Sequence, residues 1–228
     1  MYERFGLYGD GEAPHAVLYP ASIQIRSLYR QRTKRLLDLS IILLTALPAL
    51  LIIAVAALIL ILREGGSPFY RQERIGLHGR VFGMWKLRTM VQDADKVLDA
   101  YLAANPEARR EWDRDQKLKN DPRITGFGRF LRRSSLDELP QLWNVVMGDM
   151  SIVGPRPMMR NQRALYPGTE YYAMRPGITG FWQTSARNES SFHERAGFDQ
   201  AYYRALSLRT DLAIIWRTFS VVLRGTGH

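Results

Sequence analysis

LSIILLTALPALLIIAVAALILIL, residues Leu39–Leu62, runs for 24 residues without a charge, and its reading decides the fold. At about 1.5 Å of rise per residue a helix of this length reaches across a hydrocarbon core of about 30 Å. A buried core helix is the alternative, but an uninterrupted run of this length favours lipid. A secretory signal does not fit, because the run is long, begins well inside the chain and has no obvious small-residue cleavage site after it.

The flanks of the run bear on topology. Arg26, Arg30, Arg32, Lys34 and Arg35 precede it, and Arg63, Arg71, Arg74 and Arg80 follow it. Basic residues beside membrane helices favour the cytoplasmic side, so both ends ask for the same side. Pro48 offers a way to satisfy both: its ring removes one intrahelical hydrogen bond and breaks or bends the helix. A re-entrant helix, entering and leaving one leaflet, is expected ahead of a straight span that the proline merely kinks.

The rest of the chain is basic and contains no cysteine. Its 228 residues carry a formal net charge of +10, which points to an anionic partner such as nucleic acid, an acidic membrane surface or a phosphorylated substrate. The absence of cysteine excludes disulfides and thiolate metal sites, and the four scattered histidines do not suggest a zinc site. Nucleic acid is disfavoured as the partner, because the apolar run has no place there and no helix-turn-helix or zinc spacing is present.

Outward from the run, residues before about Ser22 are rich in Gly and Tyr without periodic pattern and read as a mobile tail. Pro68–Gly76 and Arg80–Arg88 read as two strands joined through Leu77-His78-Gly79, a hairpin signal. Lys86 and Arg88, two apart, would share one face of the second strand. Val91–Lys119 is helical in pattern with a break at Asn105-Pro106. It contains Asp93-Ala94-Asp95 and Asp113-Arg114-Asp115, which imitate an Asp-x-Asp metal motif but read as charges on the outer face of an amphipathic helix. Phe198–Leu223 reads as helices.

The chemistry concentrates in Arg132-Arg133-Ser134-Ser135-Leu136-Asp137-Glu138-Leu139-Pro140. Ser135 and Glu138 have the spacing of a capping box, the plain reading of a helix start. The functional reading is that Asp137, ionised and held by a neighbouring arginine, attacks a phosphorus centre while Glu138 holds a magnesium ion. Gly154-Pro155-Arg156-Pro157 is a rigid loop in which two prolines present one guanidinium, although such loops are often only tight turns. Arg175–Gln183 is a second Gly/Pro loop, followed by Arg187-Asn188.

Five stretches in order resemble the bacterial sugar transferase family, monotopic phosphoglycosyl transferases that start glycan assembly on a polyprenyl-phosphate carrier. They are Lys34-Arg35-Leu36-Leu37-Asp38, Lys86-Leu87-Arg88-Thr89-Met90, the Asp137-Glu138 stretch, Gly154-Pro155-Arg156-Pro157 and Pro176-Gly177-Ile178-Thr179-Gly180. The resemblance is to the short exopolysaccharide-initiating members. It implies that Asp137 is the nucleophile and Glu138 its metal-assisting partner, both near magnesium. It further implies that Arg132 binds phosphate, that Pro155, Arg156 and Pro157 contact nucleotide, and that Lys86, Arg88 and Arg187 lie in the active site. A re-entrant helix is implied as well. The family often has Ser before the helix-breaking proline, whereas this chain has Leu47, so the break is expected to be shallower.

The expected fold class is therefore α+β: a small monotopic membrane protein with an N-terminal re-entrant helix and a compact helix-rich catalytic domain containing a short β-hairpin. Residues 1–32 form the tail and basic approach, 33–63 the membrane helix, and 64–228 a cytoplasmic catalytic domain. By analogy the reaction moves hexose 1-phosphate from a UDP-sugar, galactose or glucose first, to undecaprenyl phosphate and releases UMP. The expected setting is the inner face of the bacterial cytoplasmic membrane, with membrane lipids and a homodimer as further partners. A noncatalytic membrane adaptor of a glycan-assembly complex is the alternative.

Overall fold

In the computed structural model of the chain, the residues described are Tyr29, 33–115, 118–185 and 192–223. The apolar run lies in a single helix, α1, Lys34–Glu64, with Pro48 inside it. Its 31 residues make a rod of about 46 Å. The helical path is uninterrupted at Pro48, so the proline does not end the helix. One turn earlier the Thr45 hydroxyl donates back to the Ile41 carbonyl at 2.8 Å, a bond that tends to bend helices. Leu43, Leu44 and Leu47 are each about 80% exposed. A surface of that kind is stable against lipid and costly in water.

After α1 come the hairpin strands β1, Phe69–Ile75, and β2, Val81–Leu87, joined through a turn at Leu77–Gly79. The helical stretch divides as the Asn105-Pro106 signal demands, into α2, Ala94–Ala104, and α3, Pro106–Asp115. Then follow α4, Gly126–Arg133; α5, Gln141–Met147; β3, Ser151–Val153; β4, Gly177–Thr179; α6, Phe181–Ser185; α7, Phe192–Ala205; and α8, Leu208–Leu223. The chain divides into two compact units, one holding the described residues up to Thr45, Gln72–Met84 and Gln141–Ser220, the other Ala46–Arg71, Trp85–Pro140 and the end of α8.

The first unit is built on β3 and β4, which pair in parallel with Ser151 opposite Gly177 and Val153 opposite Thr179. Glycines allow this pairing to close: a Cβ on Gly177 would stand 2.0 Å from the Gly154 nitrogen, and one on Gly154 2.3 Å from the Arg175 carbonyl. Met150, Val153, Tyr202 and Ile214 form the core around the strands. The foot of α1 docks here through its polar residues. Asp38, 2% exposed, accepts hydrogen bonds from the Ser151 hydroxyl and the Ile152 amide. Lys34 is paired with the fully buried Asp211 of α8 at 2.6 Å, and Arg35 donates to the last carbonyls of α5, at Val145 and Val146. Lys34 and Arg35 thus serve folding, and so does Arg74, which is buried and donates to the Pro157 carbonyl. Of the basic flank, fewer charges remain for lipid headgroups than the sequence displays.

In the second unit the later part of α1 buries a small-residue face. Ala56, Ala57 and Leu60 pack on Leu87 of β2 and Leu131 of α4, with Phe127 and Leu136 against them. Helix α4 is capped by Thr125, whose hydroxyl accepts from the Gly128 amide at 2.8 Å. A Cβ on Gly128 would lie 2.1 Å from the Thr89 carbonyl, so α4 rests on the segment after β2 backbone to backbone. The Asp-x-Asp imitations are surface charges: the Asp93 and Asp113 side chains are 71% and 57% exposed.

Candidate active site

Strand alternation starts the site. Leu87 is buried in the core of the second unit at 2% exposure, so its neighbour Lys86 points to the other face of β2. There its ammonium meets the turn that follows α4. That turn is not the helix start that a capping box would give. Ser135 adopts φ 57 and its side chain makes no capping bond, so Leu136–Glu138 forms a single 3-10 turn instead. A serine in the left-handed region is uncommon and mildly strained, and here it reverses the chain directly before Asp137.

Lys86 Nζ lies 2.8 Å from Glu138 Oε1 and 3.6 Å from Asp137 Oδ2. Asp137 is 7% exposed, while Glu138 is half-buried. Burial pushes the Asp137 carboxyl above the ordinary carboxylate range; Lys86 opposes this, Glu138 adds to it, and Arg132 opposes it. Arg132 is itself oriented by Thr89, whose hydroxyl accepts from its Nε at 2.9 Å. Burial lowers the affinity of Arg132 for its proton, against the pull of Asp137 and Asp121. The result is one buried carboxylate, a second beside it, an ammonium paired with both and a guanidinium nearby. A carboxylate so placed can act as a nucleophile toward a phosphorus centre whose oxygens the cations neutralise.

Asp137 and Glu138 supply hard oxygens of the kind magnesium takes together with substrate phosphate oxygens. Among the described residues no group of three or more potential metal ligands gathers. Lys86 is paired with both carboxylates, so a cation bound there would compete with its ammonium.

The remaining expected residues fall elsewhere or outside the description. Arg88 lies one residue past the end of β2 and donates to the Gly65 carbonyl just beyond α1; its bond is not to either carboxylate. Pro155, Arg156 and Pro157 belong to the first unit, with both prolines buried and Arg156 exposed. Arg187 lies outside the described residues, as does the expected tail. Thr89 was not singled out from sequence, although it stands inside the Lys86–Met90 stretch; a threonine beside cationic strand residues was the available signal. Trp182, which carries Arg156 at 5.6 Å over its ring, had no signal beyond its place in a Gly/Pro loop.

The bacterial sugar transferase family model matches residues 29–225. Among curated relatives, the chain is 47% identical over 203 residues to a UDP-galactose-lipid carrier transferase of Erwinia amylovora, covering 88% of this chain and 42% of that protein. It is 45% identical over 166 residues to the exopolysaccharide production protein ExoY of Rhizobium meliloti, covering 72% of this chain and 74% of the relative. It is 35% identical over 216 residues to the UDP-glucose:undecaprenyl-phosphate glucose-1-phosphate transferase of Escherichia coli, covering 90% and 42%. The chain thus spans less than half the length of two of these three relatives. With the family model covering nearly all of the described fold, the chain belongs to the bacterial sugar transferase family.

Proposed function

We propose that this chain is a phosphoglycosyl transferase that moves hexose 1-phosphate from a UDP-sugar to a polyprenyl phosphate, the first step of an exopolysaccharide or related glycan. The observation that carries the reading is the buried Asp137 held against Lys86, with Glu138 and Arg132 around it. An Asp137 oxygen attacks the β-phosphorus of the UDP-sugar. The bond from that phosphorus to the oxygen bridging the two phosphates breaks, and UMP leaves with the electron pair. The sugar phosphate remains on Asp137 as an acyl phosphate. A phosphate oxygen of the polyprenyl carrier then attacks the same phosphorus, giving polyprenyl-diphospho-sugar and returning the carboxylate.

Phosphoryl transfer depends mainly on positioning and charge neutralisation. Lys86 and Arg132 meet the phosphate oxygens, Thr89 keeps Arg132 aimed, and Arg156 with its flanking prolines contacts the nucleotide. Asp137 and Glu138 would hold magnesium, which would supply neutralisation of phosphate charge. The names of relatives favour galactose or glucose as the sugar. Helix α1 is the membrane element. The basic residues at both ends and Pro48 within it support re-entry into the cytoplasmic leaflet, with the catalytic part on the cytoplasmic face.

The test uses the purified full chain with radiolabelled UDP-galactose and UDP-glucose. UMP release, and a labelled protein adduct that chases into lipid when polyprenyl phosphate is added, are expected. Release of UMP without any adduct that depends on Asp137 would overturn the mechanism, and no release from any UDP-sugar would leave an adaptor.

A further inference from the structure

Arg156 has a fixed backbone. Pro155 and Pro157 on either side are buried, the Pro155 carbonyl accepts from the Gly177 amide at 2.8 Å, and the Pro157 carbonyl accepts from Arg74 at 3.4 Å. Only the long side chain has freedom left, and it is exposed. Its neighbour is the ring of Trp182, with the guanidinium carbon 5.6 Å from the centroid.

Trp182 is placed to hold that side chain. It is the second residue of α6, which begins directly after β4. A Cβ on Gly180 would stand 2.1 Å from the Gly154 carbonyl, so the start of α6 and the Arg156 loop touch backbone to backbone without slack. Packing into the core is carried by the preceding residue: Phe181 meets Tyr202 edge-on at 5.5 Å, while Trp182 stays half-buried. A second guanidinium, that of Arg195, lies 5.9 Å from the same ring. Arg195 is 4% exposed and stands 3.9 Å from Asp199, so this neighbour of the ring is fixed in the interior.

A guanidinium over an aromatic ring is attracted by the ring's negative face, and its N–H donors lie in the guanidinium plane. We propose that Trp182 is a positioning residue for the nucleotide half of the substrate, holding Arg156 so that its donors face an anionic oxygen of a nucleoside phosphate. The proposal rests on the reading of Arg156 as a nucleotide contact. An aliphatic side chain at 182 would fill space but leave Arg156 to sample its rotamers, and that freedom would be lost again on each binding event.

The experiment measures UMP binding by calorimetry, and the steady-state constants for UDP-galactose or UDP-glucose, on the full chain in lipid nanodiscs. Trp182→Leu should weaken UMP binding and raise KM by roughly three- to thirty-fold, the span expected of a cation–aromatic contact, with kcat little changed. Trp182→Phe, which keeps a flat ring, should restore most of the loss. Arg156→Ala should weaken binding, and Trp182→Leu added to it should weaken it no further. UMP binding by Trp182→Leu equal to wild type, losses from the two positions that multiply, or a silent Arg156→Ala would each overturn the proposal. Where Trp182→Leu lowers the unfolding temperature sharply, the same cycle is run with Trp182→Met, a long side chain without a ring, and absence of coupling to Arg156 there overturns it equally. Loss of the Asp137 adduct with the UMP pattern intact would remove the proposed reaction while leaving the positioning role in place.

Discussion

Replacing Lys86 with Met keeps the length of the side chain and removes its charge from between the two carboxylates. The ammonium stands 3.6 Å from Asp137 Oδ2, with the two side chains 20% and 10% exposed. At that separation the attraction is worth about 1.2 kcal/mol with the dielectric of water and about 4.6 kcal/mol at an effective value near 20, and a mostly buried pair lies between these limits. The sign follows from what surrounds Asp137. Burial and Glu138 raise its pKa and Lys86 opposes them, so removing Lys86 raises it further and leaves less ionised nucleophile as pH falls. On the acid limb of the profile, where the carboxyl is mostly protonated in both proteins, UMP release should show kcat/KM lower by at least about five-fold. The acid limb of the pH profile should move upward, and the deficit should narrow as pH rises and Asp137 ionises in both proteins. A Lys86→Met profile that keeps the wild-type shape, reduced by one factor at every pH, would refute the argument and place Lys86 on the substrate alone.

Glu138→Gln removes a charge that works in the opposite direction, so its acid limb should move downward while its magnesium titration weakens; an unchanged titration would leave Glu138 without a metal role. Asp137→Asn should abolish transfer and covalent labelling, and turnover within a few-fold of wild type would sink the assigned nucleophile. The same variant makes a stability prediction: the raised folded pKa means that stability from the neutral carboxyl is present in acid and lost as pH rises through that pKa. The substituted amide stays neutral at every pH, so the variant's unfolding temperature should match or exceed wild type at neutral pH and converge with it in acid; a clear deficit at neutral pH would contradict this. For topology, single cysteines at Ser22 and Ser67 of this cysteine-free chain should both resist an impermeant thiol reagent in intact cells, whereas Pro48→Ala should give a mixed population. Outside labelling of one wild-type site would establish a spanning helix.

What could be read from the sequence was local. The hairpin ends fall within a residue of those expected, because Gly76 and Gly79 punctuate two strand-forming segments, and α2 and α3 divide where Pro106 cannot continue the first helix. Asp137 and Glu138 stood out because acidic neighbours follow two arginines. The capping box failed although its spacing was correct, because Ser135 takes a left-handed conformation that spacing does not encode. The roles of Lys34, Arg35 and Asp38 were hidden for another reason. Their partners lie 110 to 177 positions away, and read locally they were indistinguishable from charges flanking a membrane segment. Arg156 and Trp182 present the same problem: each belongs to an identifiable loop, but only the parallel pairing of β3 with β4 brings the loops together.

The way α1 is held bears on how the protein can be handled. A fragment cut after Glu64 to obtain a soluble enzyme would leave Asp211 buried without its lysine and the Ser151 hydroxyl and Ile152 amide without Asp38. It would also uncover Leu87 and Leu131, which Ala56, Ala57 and Leu60 now cover. A buried charge stripped of its partner costs about 3–5 kcal/mol and each orphaned polar group about 1–3 kcal/mol, which is comparable with the whole stability of an ordinary domain. The hydrophobic helix is therefore part of the folding unit as well as its tether. Detergent or lipid is then needed because the helix must stay, and solubilising strategies should replace exposed leucines of α1 in place rather than delete the helix.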